Sequence, residues 1–446
     1  MLVLGGGFGG LYAATYLAKS FDLEPNDEVL LVDAQNYFTF TPLLSEVAAG
    51  TLGREHVAVA HRRLAAKSAE PGLGLFVTRP RGFTFQQASV EGLDQDASVA
   101  YTSAGQIAYD LCILALGSRP RFFGDDVARA AFPFNSLRDA LDLRDRVIAL
   151  SEAAAVERDS VVRRELLTFV VAGAGPAGVE TAAEIHHLFR HVLPGYYREA
   201  ADARVILVAA GDGILRQFDL QLAERGRKDL EASGLEIRLD TRIEAAAERW
   251  VRLSDGDTIP TRTLIWTAGV RAHPLGEQAG LPTEHDGSVR ADEFLRVEGR
   301  DNLYVVGDMG SVLNPRTSGR YPRVAPIAIS QGVRAAANIE NERAGRPVEP
   351  YAAHHAGKIV STGAGRALVD VLGFRVAGAP AWWIYRTAYL LKMVGLRNKA
   401  HVASTLILNK AFGRDLSALA AAGTDPPLSR ILQQSGRDVD EQRGRP

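Results

Sequence analysis

The sequence predicts an α/β protein made of two Rossmann-like parallel-sheet units followed by a helical C-terminal region. Three observations predict it. A strand runs into a glycine turn and a helix at the very start of the chain. The same arrangement returns about 170 residues later, the spacing of a second unit rather than a second half of the first. The C-terminal stretch is aromatic, apolar and basic instead.

In the first unit, Leu2, Val3 and Leu4 read as a short buried strand, followed by Gly5-x-Gly7-x-x-Gly10 and then helical spacing over Leu11 to Leu17. A dinucleotide pyrophosphate needs this order. The first glycine makes the tight turn, the second lets the backbone approach the phosphates, and the third lets helix and strand pack closely. The helix N-terminus adds unsatisfied N–H groups and partial positive charge. Asp33 closes the next apolar run, Val29 to Val32, about 20 residues on, where a carboxylate accepts from an adenosine ribose. With 43 glycines in 446 residues, the bare three-glycine pattern arises by chance about 0.4 times. The flanking strand, helix and Asp33 carry the reading.

Composition narrows the classes. A chain of 446 residues suits two or three domains, and a net charge of −2 gives no general attraction to nucleic acid. Cys112, the single cysteine, sits in an apolar strand-like run and reads as a core residue; an intramolecular redox disulfide is excluded. The start has no pattern of a secretory signal, and no apolar run is long enough to span a bilayer.

After Asp33, Gln35 to Leu44 reads as an aromatic, proline-broken loop leading to a short helix. Phe76 to Tyr101, with Phe83–Phe85 and Ser98–Tyr101, reads as an antiparallel ribbon. Asp110 to Ala115 is a buried strand ending in the turn Leu116 to Pro120, which suits either a cofactor contact or an ordinary turn. Arg138 to Glu165 is charged and helical. Leu166 to Ala172 is then a strand, Gly173-x-Gly175-x-x-Gly178 the turn, and Val179 to Ile185 a helix. Two such units point to two dinucleotides.

The strand Val205 to Val208 ends in Ala209, where a ribose-binding carboxylate is expected. Without that charge NADPH is not disfavoured, and Arg216 or Arg204 could reach a 2′-phosphate. Glu180 and Glu184 lie one turn apart, either as solvated helical carboxylates or, for Glu180, facing the nicotinamide site. Glu236 to Trp266 alternates as strands with a turn at Asp255-Gly256. Asp301 to Asp308 is a strand closing on an exposed acid, suited to a polyol such as ribityl, and a helix starts near Pro326. His186-His187 and His354-His355 lack metal-site spacing, so no metal is expected.

In the tail, Ala381 to Val394 is aromatic and apolar, broken by Gly395, and His401 to Phe412 follows. Arg386, Lys392, Arg397, Lys399, Lys410 and Arg414 punctuate both pieces. Such helices suit an interfacial membrane element, the alternative being a pair docking on the protein's own core or on a dimer partner. Gly423 to Pro446 is polar and reads as frayed.

Together these stretches resemble the type II NADH dehydrogenases, single-chain NADH:quinone oxidoreductases of the two-dinucleotide-binding flavoprotein superfamily with the pyridine nucleotide-disulfide oxidoreductase-like fold. The resemblance covers nearly the whole chain, through Gly5–Gly10, Asn36-Tyr37, Phe40–Leu44, Ala115–Pro120, Gly173–Glu184, Thr267–Val270, Val306–Asp308, Ala325–Gly332, Gly357–Phe374 and the tail with Gly395–Asn398. It implies an FAD-binding domain in two parts (1–120 and 269–345), an NAD(P)H-binding domain (121–268) and a membrane-association region (346–446). FAD contacts would fall on Gly5, Gly7, Phe8, Gly10, Asp33, Pro42, Gly117, Gly307, Asp308 and Ala325. Those of NADH (or NADPH) would fall on Gly173, Gly175, Gly178 and Glu180, and Gly269 would be a further cofactor contact. The helix from Ala325 would line the quinone pocket, where Pro326 and Ser330 replace two glutamines and Gln331 remains. Glu180 and Gln331 would orient a ring or relay a proton. The resemblance further implies a peripheral enzyme on the cytoplasmic face of the cell membrane, with a membrane quinone as partner and a homodimer as an option. Rival readings are a soluble FAD-dependent reductase of a protein electron carrier and a slow FAD-binding redox sensor.

Overall fold

The computed structural model describes residues 1–20, 27–68, 82–317, 319–353, 357–393, 396–414 and 417. The chain forms two compact units, both discontinuous in sequence.

The first comprises residues 1–39, 58–119 and 270–355. Its sheet runs in the order Leu303–Val305, Cys112–Leu114, Leu2–Leu4, Leu30–Asp33, Thr84–Gln87, with every pair parallel. Leu2, Val3 and Leu4 are all buried, because parallel strands covered on both faces read as continuous apolar runs. Cys112 is a core residue as expected, its thiol pushed up by burial. Helix Phe8–Leu17 packs on this sheet, and helix Ala325–Arg343 packs on that helix. A Cβ on Gly332 would sit 2.1 Å from the Gly9 carbonyl oxygen, so these two helices touch backbone to backbone.

One expectation is corrected here. Phe83–Phe85 does not belong to the antiparallel ribbon: Thr84–Gln87 is the edge strand of the parallel sheet. A half-covered edge strand alternates inward and outward like an antiparallel one, so the pattern alone does not separate them. The ribbon itself is Val90–Asp94, Val99–Thr102 and Gly105–Ala108. Phe76 lies outside the described residues.

The second unit comprises residues 40–57, 120–269 and 356–446. Its parallel sheet has the order Ala131–Pro133, Thr263–Trp266, Thr168–Ala172, Arg204–Val208, Glu236–Arg238, built on a core that includes Val170, Ile206, Leu264 and Trp266. Residues 40–57 are continuous in sequence with the first unit, yet their short helix Leu44–Ala48 packs on helices Leu137–Val156 and Pro176–His191 of the second. The antiparallel strands Gly357–Ser361, Ala367–Val371 and Phe374–Gly378 lead into helices Ala379–Lys392 and Leu396–Phe412. The expected break at Gly395 and the polar stretch 423–446 lie outside the described residues.

Both glycine turns have the same internal geometry. Gly5 and Gly173 each take φ +105°, a region open to glycine. A Cβ on Gly10 would stand 1.8 Å from the Gly5 carbonyl oxygen, and one on Gly178 would stand 1.8 Å from that of Gly173. Gly10→Ala and Gly178→Ala are therefore each expected to push helix from strand and cost about 1–3 kcal/mol. Denaturant midpoints check this; unchanged midpoints would show that the packing has slack.

Candidate functional site

In each turn the middle glycine is the opposite of the third. A Cβ on Gly7 or Gly175 would meet nothing within 4 Å. These two residues occupy the N-cap positions of their helices, so no capping side chain stands where an anion would meet the first helical N–H groups. Each unit thus offers an open backbone cradle at a helix N-terminus, which fits a pyrophosphate.

In the first unit Asp33 ends its strand beside the turn. Oδ2 accepts from the Gly6 N–H at 2.5 Å and Oδ1 from the Gln35 N–H at 2.7 Å. Two backbone donors fix the carboxylate, and its remaining lone pairs suit hydroxyl donors. Asp308 follows Gly307, which has φ +69°. It is half-buried rather than exposed as the sequence implied. Burial raises its carboxyl, while the Ser118 hydroxyl, donating to Oδ2 at 2.8 Å, and Arg323 oppose that. Arg323 also donates to the Asp308 carbonyl oxygen at 3.0 Å and to Asp286 at 2.7 Å. Gln331 is buried, and its Oε1 accepts from the Gly307 N–H at 2.8 Å, so it braces the turn that carries Asp308. Ala325 opens the long helix with Pro326 in its first turn, and the Ser330 hydroxyl bonds that of Tyr351 at 2.7 Å. Gly117, with φ +70°, opens onto space within this unit.

In the second unit Glu180 and Glu184 are not solvated: both are buried, as is Glu46 on the short helix Leu44–Ala48. Glu180 Oε1 accepts from the Ser361 N–H at 3.0 Å, and the Ser361 hydroxyl lies 3.5 Å from Glu184. Burial pushes the Glu180 carboxyl up to about 8, with the charges of Glu46 and Glu184 adding to it and the Ser361 N–H opposing. Burial, then Glu46, likewise raises Glu184. Glu46 accepts from Arg386 Nη2 at 2.9 Å and from the Tyr385 hydroxyl at 3.2 Å. Arg386, counted from the sequence among the basic residues of a membrane face, is instead buried and ion-paired. Helix geometry explains it. Trp382, Tyr385, Arg386 and Tyr389 share one helical stripe, and the guanidinium lies 5.3 Å from the Trp382 ring centre. Pro42 and Gly269 also belong to this unit, and Gly269, at φ +152°, opens onto space.

Ala209 is buried at its strand end. Arg204 does not reach for a phosphate: it holds both oxygens of Glu236 at 2.8 Å. Arg216 remains exposed, 3.8 Å from Asp212. Sequence reading missed Glu46, Ser361, Tyr385 and Arg386 as one cluster. The available signal was a lone arginine on the aromatic stripe. Its partner, some 340 positions away, leaves no local trace. Among the described residues no group of His, Cys, Asp and Glu could hold a metal.

The family model of the pyridine nucleotide-disulphide oxidoreductases matches residues 1–332. Among curated proteins, an internal alternative NAD(P)H-ubiquinone oxidoreductase A1 of Arabidopsis thaliana is 29% identical over 94% of this chain and 85% of its own length. A type II NADH:quinone oxidoreductase, Ndh, of Mycobacterium tuberculosis is 29% identical over 90% of this chain and 85% of its own. Among solved structures, NDH2 from Plasmodium falciparum in complex with NADH has a TM-score of 0.83 at 16% identity, covering 93% of this chain and 99% of that one.

The raised carboxyls fix a pH dependence. Their folded values stand above the ordinary 4.5, so the stability they contribute is complete below about pH 4.5 and is lost as pH rises through about 8. Glu180→Gln and Glu184→Gln keep shape without the charge. The expected outcome is a wild-type melting temperature that falls between about pH 5 and 8 and falls less in either variant. Parallel curves would contradict the burial argument.

Proposed function

Because the chain belongs to the pyridine nucleotide-disulphide oxidoreductase family, we propose that it is a non-proton-pumping type II NADH:quinone oxidoreductase. In this reading the first unit binds FAD and the second binds NADH. The observation that carries it is the pair of glycine turns, alike in φ and close approach, each with its middle glycine open. Similarity over most of the chain to proteins named as NAD(P)H-ubiquinone and NADH:quinone oxidoreductases supports a quinone as the acceptor.

FAD, when bound, supplies the hydride acceptance and two-electron transfer. The chain's own residues bind and orient. The Gly5–Gly10 turn, with Phe8 and the first helical N–H groups, holds the pyrophosphate. Asp33 accepts from the adenosine ribose, and Asp308, held by Ser118 and by the turn that Gln331 braces, accepts from the ribityl chain. Gly117 and Ala325 complete the flavin contacts of this unit. In the second unit Gly173, Gly175 and Gly178 hold the nicotinamide cofactor. Glu180, whose carboxyl is pushed up by burial towards its neutral form, orients a ring or relays a proton. Ala209 leaves NADPH acceptable, with Arg216 as the residue for a 2′-phosphate.

No helix among the described residues is long and apolar enough to cross a membrane. Trp383, Ile384 and Leu391 on one tail helix and Ile407, Leu408 and Phe412 on the other are exposed. Apolar rings and aliphatics in the plane of two short helices suit the bilayer interface, on the cytoplasmic face, where a quinone is reached without leaving lipid.

Two experiments test this reading. Purified flavin-loaded protein mixed with NADH and a short-chain quinone should bleach and then reoxidise with turnover. Bleaching without reoxidation by quinone would point to a protein acceptor, and no bleaching to a sensor. Replacing Trp383, Leu391, Ile407 and Phe412 together by serine should shift the protein from the membrane pellet to the supernatant. These exposed positions leave the Glu46–Arg386 pair in place, whereas removing the tail would strand Glu46; continued sedimentation would overturn the anchor.

A further inference from the structure

His61 begins the helix His61–Ser68 directly after the strand Ala58–Ala60, its N–H donating to the Asn36 carbonyl oxygen at 2.9 Å. Its ring is fully buried in the first unit and stacks on Phe85, with centres 4.9 Å apart and planes at 29°. Neither Nδ1 nor Nε2 has a hydrogen-bond partner. Burial lowers the imidazole, while the charge of Asp33 and the Tyr37 backbone act against it. A buried polar ring with both nitrogens idle is costly, and an apolar side chain would fill the space at less cost.

What the ring faces supplies a reason. Cε1 and Nε2 each lie 2.5 Å from the point a Cβ on Gly6 would occupy, and Asp33 Oδ2 lies 3.2 Å from the same point. The imidazole edge, the glycine turn and the Asp33 carboxylate therefore converge on one spot. Asp33 is the charged group that acts on the ring. Arg62, the next residue, lies over the Phe85 ring, 5.6 Å from its centre. Asp33 has one backbone donor on each oxygen, which leaves lone pairs for further donors.

Resting on the reading of Asp33 as the ribose acceptor, we propose that His61 is the positioning residue for that carboxylate in flavin binding. In the loaded protein the tautomer with its proton on Nε2 donates to Asp33 and holds it at the angle at which it accepts from the adenosine ribose. A third donor that engages the carboxylate in the loaded protein holds it in its ribose-accepting orientation and slows its loss, as with the orienting partners of metal-binding side chains.

The test is release of FAD on dilution of the full-length, flavin-loaded protein, read by flavin fluorescence, with circular dichroism confirming the fold. His61→Leu, which fills the space without a donor, should weaken FAD retention about tenfold, the scale of losing one such orienting partner. His61→Gln, which keeps a donor, should stay within about threefold. In the Asp33→Asn background His61→Leu should add little, because the two act through one contact. If His61→Leu fails to fold, His61→Met replaces it in the same series. Retention by the apolar variant equal to wild type, or losses that simply add, would overturn the proposal. If Asp33→Asn alone leaves retention unchanged, the ribose reading itself fails and His61 loses its role with it.

Discussion

Everything in this protein hangs on how closely a helix backbone can approach a strand backbone. At Gly10 and Gly178 the space for a side chain is already occupied by a carbonyl oxygen 1.8 Å away. That contact draws each helix down onto its sheet and points its first N–H groups over the strand end. The middle glycine, two residues after the first, has the reverse property: open space where a side chain would be. Close packing beside open cradle is what a charged, elongated ligand needs, and it occurs once in each unit. The carboxylates Asp33 and Asp308 take their places from the same construction, one at a strand end and the other on a turn braced by Gln331.

The second unit carries a different constraint. Glu46, Glu180, Glu184 and Arg386, all buried, lie on elements that the sequence separates widely. Burying charge is tolerated only with partners, so the Glu46–Arg386 pair ties the first tail helix to the short helix of residues 44–48. For Glu180 and Glu184 burial itself raises the carboxyls and favours their neutral form. The tail is therefore two-sided: one stripe is a polar clamp and the rest an exposed apolar surface.

Much of this was legible in the chain. Both glycine turns, their strands and helices, the buried Cys112 and the long helix from Ala325 follow from local periodicity and turn chemistry, which act over a few residues. The family resemblance added the acceptor and the tail. What stayed hidden was long-range. Arg386 reads as one more surface cation until Glu46 is placed beside it, and Glu180 and Glu184 read as an ordinary helical pair until Ser361 covers them. Arg204 seemed available until Glu236 took its guanidinium. Phe83–Phe85 reads as part of the antiparallel ribbon because alternation does not record which neighbour a strand has.

The most direct measurement fills each cradle in turn. Gly7→Val and Gly175→Val put side chains into open space at extended backbone angles, so both chains should fold. Flavin content and calorimetric NAD⁺ binding are then measured on each. The account predicts that Gly7→Val loses flavin, whereas Gly175→Val keeps one flavin per chain and loses nucleotide binding. Loss of both ligands from either variant, or of neither, would contradict two separate sites built on two glycine turns.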